Sequence, residues 1–197
     1  MAENQVRPEC HCGFEGLFAA ARREITPSLD VRARCWGMAR HDLPTGVHRP
    51  LTLTALVLQS LGGLPLLLIS ADLSWFRRAD DEWRVRGPIL QELGLPPENV
   101  LFHIIHTHAG PSLNADEADR PGGDKVGPYL DLLAKRSIDA ATEAISRLAP
   151  GKLEWATGHC SNASRCERNR APALPKGGGK ARRGPFQGCP RGQCRPR

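Results

Sequence analysis

Apolar positions along the chain fall into alternating strand-like and helix-like segments. Strands are predicted where short β-rich runs lie between Gly, Pro and polar clusters. Continuous apolar character predicts that one of them, Leu51 to Gln59, is buried on both faces. The turn at residues 61–63 predicts that it forms a hairpin with the next. The predicted strands are residues 17–25 (a strand or a short helix), 51–59, 64–70, 100–105 and 152–157.

Two segments instead repeat their apolar residues every three to four positions, as a helix does. The first covers residues 79–93 and ends at Gly94, before Pro96 and Pro97. The second runs from near Pro128 to Leu148. Strands and helices in this order predict the α/β class, with a mixed sheet covered by helices.

Charge is unevenly distributed along the 197-residue chain, whose net charge is +6. Residues 164–197 contain ten of the 27 Lys and Arg residues but one of the 21 acidic residues. We therefore expect a loose leader at residues 1–13, one α/β domain at 14–160 and a disordered basic tail at 161–197. Such a tail leaves open an alternative function, that of a non-catalytic protein or of one that binds phosphate or nucleic acid non-specifically through the tail. The tail lacks the interleaved aromatic residues that favour nucleic acid.

Targeting signals and a disulfide framework are not expected. The first residues carry no apolar secretory segment and no run is long enough to span a membrane, so a cytoplasmic location is the default. Seven cysteines, an odd number, indicate no disulfide framework in that setting. Their spacing also lacks the paired pattern of a zinc ribbon.

Candidate chemistry is concentrated in the segment Asn99–Pro111, NVLFHIIHTHAGP. An apolar strand there leads to His106 and His108, followed by a Gly-Pro turn. Residues i and i+2 of a strand point to the same face, so both imidazoles are expected on one side. The pair suits a metal or hydrolytic site, although two solvated loop histidines are the alternative.

Other side chains near this segment have two interpretations each. Asp72 follows a predicted strand and either orients a metal-binding histidine or caps the turn there. Trp75 and Phe76 either line an apolar channel or pack in the core. Tyr129 lies on the second predicted helix and is expected in the core.

Several blocks together resemble the neutral/alkaline (non-lysosomal) ceramidase family. His106-Thr107-His108-Ala109-Gly110-Pro111 resembles that family's THTHSGP signature, with Ile105 for its first Thr and Ala109 for its Ser. The other blocks occur in family order over about residues 14–160. They are Ala19–Pro27, Gly46–Leu51, Thr54–Leu58, Leu68–Leu73 and Trp155–Cys160.

The resemblance implies a zinc-dependent amidase that hydrolyses the N-acyl bond of ceramide to sphingosine and a fatty acid. It implies that His106 is a zinc ligand, and that His108 stands beside the metal as a catalytic residue in contact with substrate or bound water. The expected partner is a ceramide-like N-acyl lipid, with no specific nucleic acid and no transmembrane segment.

The sequence also departs from the pattern of the family that it resembles. The family's other zinc ligands, a second His, a Glu and a Tyr, come from further along a longer chain and have no counterpart after Cys160. We therefore expect the domain to be incomplete, truncated or frame-shifted after about residue 160, and inactive as this fragment. The sequence does not predict acyl-chain preference or oligomeric state.

Overall fold

The computed structural model describes residues 10–37 and 39–156, without the side chains of residues 10–12 and 156. Residues 12–154 form one compact unit. Of a second unit, only residues 10, 11, 155 and 156 are described, and they are the end residues of two strands. The predicted tail, residues 161–197, and most of the predicted leader lie outside the described residues; strand β1 begins at Cys10.

The described residues form a five-stranded mixed sheet and two α-helices, which confirms the predicted α/β class. In chain order the elements are β1 (Cys10–Glu24), β2 (Thr52–Gln59), β3 (Leu66–Ala71), α1 (Ala79–Leu93), β4 (Val100–Ile104), α2 (Val126–Ser146) and β5 (Ala149–Ala156). Short 3-10 turns at Pro97–Asn99 and Ala115–Glu117 precede β4 and α2.

The strand order across the sheet is β4-β3-β2-β1-β5. β2 pairs antiparallel with both β1 and β3, so the predicted hairpin is confirmed. β3 and β4 are parallel, with α1 as the crossover that parallel neighbours require. The C-terminal ends of β3 and β4 therefore meet at the same edge of the sheet.

One face of the sheet is buried beneath the two helices. Leu53, Ala55 and Val57 of β2 are fully buried, and the register places Leu67 and Ile69 of β3 beside them on the same face. The apolar stripes of α1 and α2 join them in a single core cluster. The helices therefore lie on this side of the sheet. No helix among the described residues is both long and apolar enough to cross a membrane.

The prediction that β2 is buried on both faces is wrong. Its alternate residues face away from the helices, and Leu56 among them is 37% exposed. Its middle, residues 55–58, is continuously apolar although only one face of the strand is covered by the described residues. Apolar residues at successive positions of a strand therefore do not establish that both faces of the strand are covered.

Helix α1 ends where its sequence predicts. Gly94 takes the left-handed conformation with φ 61°, which a residue without a Cβ adopts at little cost. Its N–H bonds back to the carbonyls of Leu90 and Gln91, which closes the last turn. This cap turns the chain towards β4, the strand that leads to the histidines.

Candidate functional site

Two connecting segments leave the sheet side by side at the shared end of β3 and β4. The Ile105 N–H donates to the Ala71 carbonyl at 3.2 Å, and the Thr107 N–H donates to the Leu73 carbonyl at 3.0 Å. These bonds extend the pairing of the two strands into the segment that carries His106 and His108. The histidines are thus held by backbone bonds to the segment that follows β3.

The expectation that both histidines project from one strand face is wrong in its geometry. β4 ends at Ile104, and His106 has φ 65°, which is uncommon for any residue with a side chain. Even so, the two imidazole rings are neighbours, with centroids 5.4 Å apart and planes at 79°. The structure therefore brings the predicted pair together through a turn instead of through strand alternation.

The ring of His106 is oriented by a backbone carbonyl. Its Nδ1 lies 3.3 Å from the carbonyl oxygen of Ser74, a residue that is buried. Because a carbonyl oxygen can only accept, Nδ1 must carry the proton in this contact. Nε2 of the neutral ring is then left with its lone pair, on an exposed side chain. Metal-binding histidines commonly have a partner of this kind on their other nitrogen.

His108 stacks on Trp36, which arrives from the long loop between β1 and β2. The ring centroids are 3.7 Å apart and the planes are 24° from parallel. Trp36 also packs edge-on against Trp75 at 4.2 Å and against His106 at 5.1 Å. The indole N–H of Trp36 is buried and has no hydrogen-bond partner among the described residues. The two histidines therefore share one aromatic cluster with two tryptophans.

A buried arginine attaches the Trp36 loop to the segment that follows the histidines. Arg32 Nη1 donates to Asp42 at 2.7 Å and Arg32 Nε donates to Glu117 at 3.2 Å. The Ser112 N–H donates to the Arg32 carbonyl at 2.7 Å, and the Arg32 N–H donates to the Gly122 carbonyl at 2.9 Å. Charge pairs and backbone bonds thus act together at this junction.

Cys35, next to Trp36, is a buried free thiol whose pKa is raised, mainly because burial disfavours the thiolate. Its carbonyl accepts a hydrogen bond from Arg77 at 3.1 Å. The guanidinium of Arg77 also lies over the Trp75 ring, 5.6 Å from its centroid. These contacts link the loop to the segment after β3, on which Trp75 and Ser74 lie.

Some of the remaining candidate residues lie at the site, and the others lie in the core. Asp72 accepts hydrogen bonds from the Thr52 N–H at 2.8 Å and the Thr52 hydroxyl at 2.9 Å, so it caps the start of β2 and not the turn after β3 that the alternative interpretation named. Phe76 packs towards Phe102 of the core, with ring centroids 5.9 Å apart, while Trp75 belongs to the aromatic cluster.

Tyr129 is buried in the core, as expected. Its hydroxyl donates to the Ile25 carbonyl at 2.8 Å. Burial raises its pKa far above the ordinary range, because the phenolate cannot be solvated there. A phenol in this position is a structural donor.

The site contains few side chains that could bind a metal ion. No group of three or more His, Cys, Asp or Glu side chains suitable for a metal ion occurs within the described ranges. Sequence reasoning missed Trp36 and Ser74, the residues that hold the two rings. A tryptophan within a loop rich in Pro, Gly and charge was the only signal for the first, and a carbonyl partner leaves no signal in the sequence.

Comparisons by sequence give no match, either to a family profile or to a curated protein. Comparison of the fold finds solved structures of enzymes, among them two ceramidases. The neutral ceramidase from Pseudomonas aeruginosa is 18% identical with a TM-score of 0.54, over 72% of this chain and 23% of that one. A ceramidase complexed with C2 is 19% identical with a TM-score of 0.55, over 72% and 22%.

The expected resemblance to neutral ceramidases is thus confirmed at the level of the fold. The chain spans less than a quarter of the length of these two ceramidase structures.

Proposed function

We propose that this chain carries part of the active site of a zinc-dependent amidase that acts on a ceramide-like N-acyl lipid. In this proposal His106 is a zinc ligand and His108 is the polar group beside it that contacts substrate. The observation that carries the proposal is the contact between His106 Nδ1 and the Ser74 carbonyl. The ceramidase-like fold and the His106–Pro111 motif support it.

The chemistry of the two histidines fits one part of such a zinc site. An amide is a poor electrophile, and zinc, when bound, polarises its carbonyl and lowers the pKa of a bound water to about 7. With Nδ1 donating to the Ser74 carbonyl, His106 presents Nε2 in a fixed orientation to a metal ion. His108 stacks flat on Trp36, so its ring is restrained while its edge is exposed. It can donate a hydrogen bond to an acyl oxygen or hold a proton there.

Two imidazoles do not make a complete zinc site, which needs three or four protein ligands. The described residues offer no third candidate close to His106 and His108. We therefore propose that this chain alone binds zinc weakly and does not hydrolyse ceramide. The small share of the ceramidase structures that it spans supports this part of the proposal.

Zinc titration of three proteins tests the proposal. In calorimetry, we expect His106→Ala to remove the weak zinc binding of the parent chain. His48→Ala, which alters an exposed loop histidine, should leave it unchanged. Equal binding by the parent and His106→Ala proteins would contradict the assignment of His106.

Hydrolysis of a fluorescent N-acyl sphingosine by the same proteins tests the second part. We expect no fatty-acid release above that of a zinc-only control. Zinc-dependent turnover by the parent chain would show that its ligand set is complete, contrary to the proposal.

A further inference from the structure

Two buried side-chain oxygens near the start of α1 have no hydrogen-bond partner among the described residues. They are Oδ2 of Asp81 and Oδ1 of Asn114, and both are shielded from water. Asp81 lies in the first turn of α1 and is only 5% exposed. Both atoms are acceptors while the carboxyl is ionised, so neither can satisfy the other in that state. Buried polar atoms without a partner are rare and costly.

The two side chains lie at one junction between α1 and the segment that precedes α2. The Ala115 N–H, which follows Asn114 in the chain, donates to the other carboxyl oxygen of Asp81, Oδ1, at 3.3 Å. One hydrogen between the two unpartnered oxygens would satisfy both of them. A protonated carboxyl provides such a hydrogen, because its O–H group donates.

We propose that Asp81 and Asn114 form a clasp that closes when Asp81 is protonated. The Asp81 Oδ2–H group then donates to Asn114 Oδ1. As the pH rises, the proton passes to solvent and this bond is lost, while the Ala115 N–H stays on Oδ1. The proposal concerns residues separate from the histidines and does not depend on the proposed amidase.

The surroundings of Asp81 favour its protonated form. Burial is the main cause of its raised pKa, and the nearby carboxylates of Asp116 and Asp80 add to the effect. The Ala115 N–H and the positive charge of Arg78 act in the opposite direction, but the pKa remains raised. The proton of the clasp is therefore retained above the pH at which an ordinary carboxyl loses it.

The two arginines whose charges act on Asp81 have other partners. Arg78 Nη2 donates to Asp80 at 2.7 Å, and Arg78 Nη1 donates to Asp116. Arg84, one turn further along α1, donates to both oxygens of a carboxylate on α2. Within the described ranges, the ionised Asp81 is thus buried without an ion-pair partner, and protonation relieves this unfavourable state.

The clasp is connected to the aromatic cluster of the candidate site. Two residues after Ala115, Glu117 accepts a hydrogen bond from Arg32 at 3.2 Å. Arg32 lies on the same loop as Trp36, the ring that stacks on a histidine. Loss of the clasp should therefore weaken the support of the Trp36 stack.

A carbon-13 titration of the Asp81 carboxyl in the full chain tests the proposal. We expect the Asp81 pKa to move towards its ordinary value in Asn114→Leu, which removes the acceptor, is similar in size and admits no water. Glu92→Gln is the matched control, because it alters an exposed acid near the other end of α1, and it should leave the Asp81 pKa unchanged. Far-ultraviolet circular dichroism checks that the variants fold.

The near-ultraviolet signal of the aromatic cluster provides a second readout that needs no change at Asn114. The parent chain should lose part of this signal as the pH rises through the Asp81 pKa. Asp81→Asn should retain it, because its amide can donate to Asn114 at every pH. Titration of the histidines is common to both proteins, so the difference between them isolates Asp81.

Four results would each overturn the proposal. The first is an Asp81 pKa at or below its ordinary value, because the Asn114 amide would then direct its N–H group at the carboxylate. The second is an unchanged or higher Asp81 pKa in Asn114→Leu, and the third is an equal pH dependence of the aromatic signal in the parent and Asp81→Asn proteins. The fourth is a lowering of the Asp81 pKa by magnesium or calcium ions, which would show that a metal ion satisfies the two oxygens.

Discussion

Replacement of Arg32 by methionine should destabilise the fold far more than the same replacement of Arg84. Both guanidinium groups hold acidic partners through two nitrogens: Arg32 bonds Asp42 and Glu117, and Arg84 bonds both oxygens of Asp131 at 2.7 Å. They differ in solvent access, since the Arg32 side chain is 7% exposed and that of Arg84 is 42% exposed. Methionine keeps much of the apolar stem and removes the charge.

The expected cost follows from the state in which the partners are left. Breaking a buried ion pair by removing one partner costs about 3–5 kcal/mol, because the remaining charge stays desolvated. Asp42 and Glu117 are partly open to water, Ser112 still donates to Glu117, and Arg34 and Arg77 remain 3.7 Å from Asp42 and Glu117. We therefore expect about 2–3 kcal/mol for Arg32→Met. An exposed pair contributes about 0.2–1 kcal/mol, which sets the expectation for Arg84→Met.

Urea unfolding at neutral pH, followed by circular dichroism, measures both free energies. Added salt should reduce the Arg84 effect and change the Arg32 effect little, because buried pairs are screened less. The near-ultraviolet signal of the aromatic cluster should change in Arg32→Met, which releases the Trp36 loop, and persist in Arg84→Met. Equal costs in the two variants, or an unchanged aromatic signal, would refute the role assigned to Arg32.

Three further changes test other contacts. Asp72→Ala should cost about 1–2 kcal/mol in urea unfolding, because Thr52 loses its acceptor, without altering zinc binding; an effect on zinc would contradict the capping role. Gly94→Ala should destabilise by about 1 kcal/mol at its positive φ, whereas Gly87→Ala inside α1 should be neutral or stabilising; the reverse order would disprove the capping argument. The pKa of Asp81 is raised, chiefly because the carboxylate is desolvated, so its contribution favours folding below the ordinary carboxyl pKa and is lost as pH rises through the folded pKa. Asp81→Asn should therefore gain stability relative to the parent chain as the pH rises above the ordinary carboxyl pKa; a difference that does not vary with pH would contradict this.

Local signals in the sequence predicted most of the fold. Short β-rich runs predicted the strands, although the first was left open between a strand and a short helix. The 3.6-residue period predicted both helices, and Gly94 marked the end of α1 to the residue. These features depend on neighbours a few residues apart, which a sequence displays directly. Coverage of the face of β2 that points away from the helices depends instead on distant parts of the chain, so the apolar residues of β2 could not reveal it.

The sequence predicted the two histidines of the candidate site but not the residues that hold them. The motif at residues 106–111 identified the two histidines, and the structure places their rings side by side. Trp36 stacks on His108, and Arg32 donates a hydrogen bond to Glu117, so both contacts join segments tens of residues apart. His106, between them, has a left-handed backbone. No spacing rule connects such segments, so a single sequence could not predict these contacts.

The most direct test of the proposed zinc site is the nitrogen spectrum of His106, recorded by long-range proton–nitrogen NMR while zinc is added. The account predicts a proton on Nδ1 before zinc is added, and a shift of the Nε2 signal as zinc binds, with His48 unaffected at the same concentration. A ring protonated at Nε2, or an Nε2 signal that does not respond while zinc binds elsewhere, would contradict it.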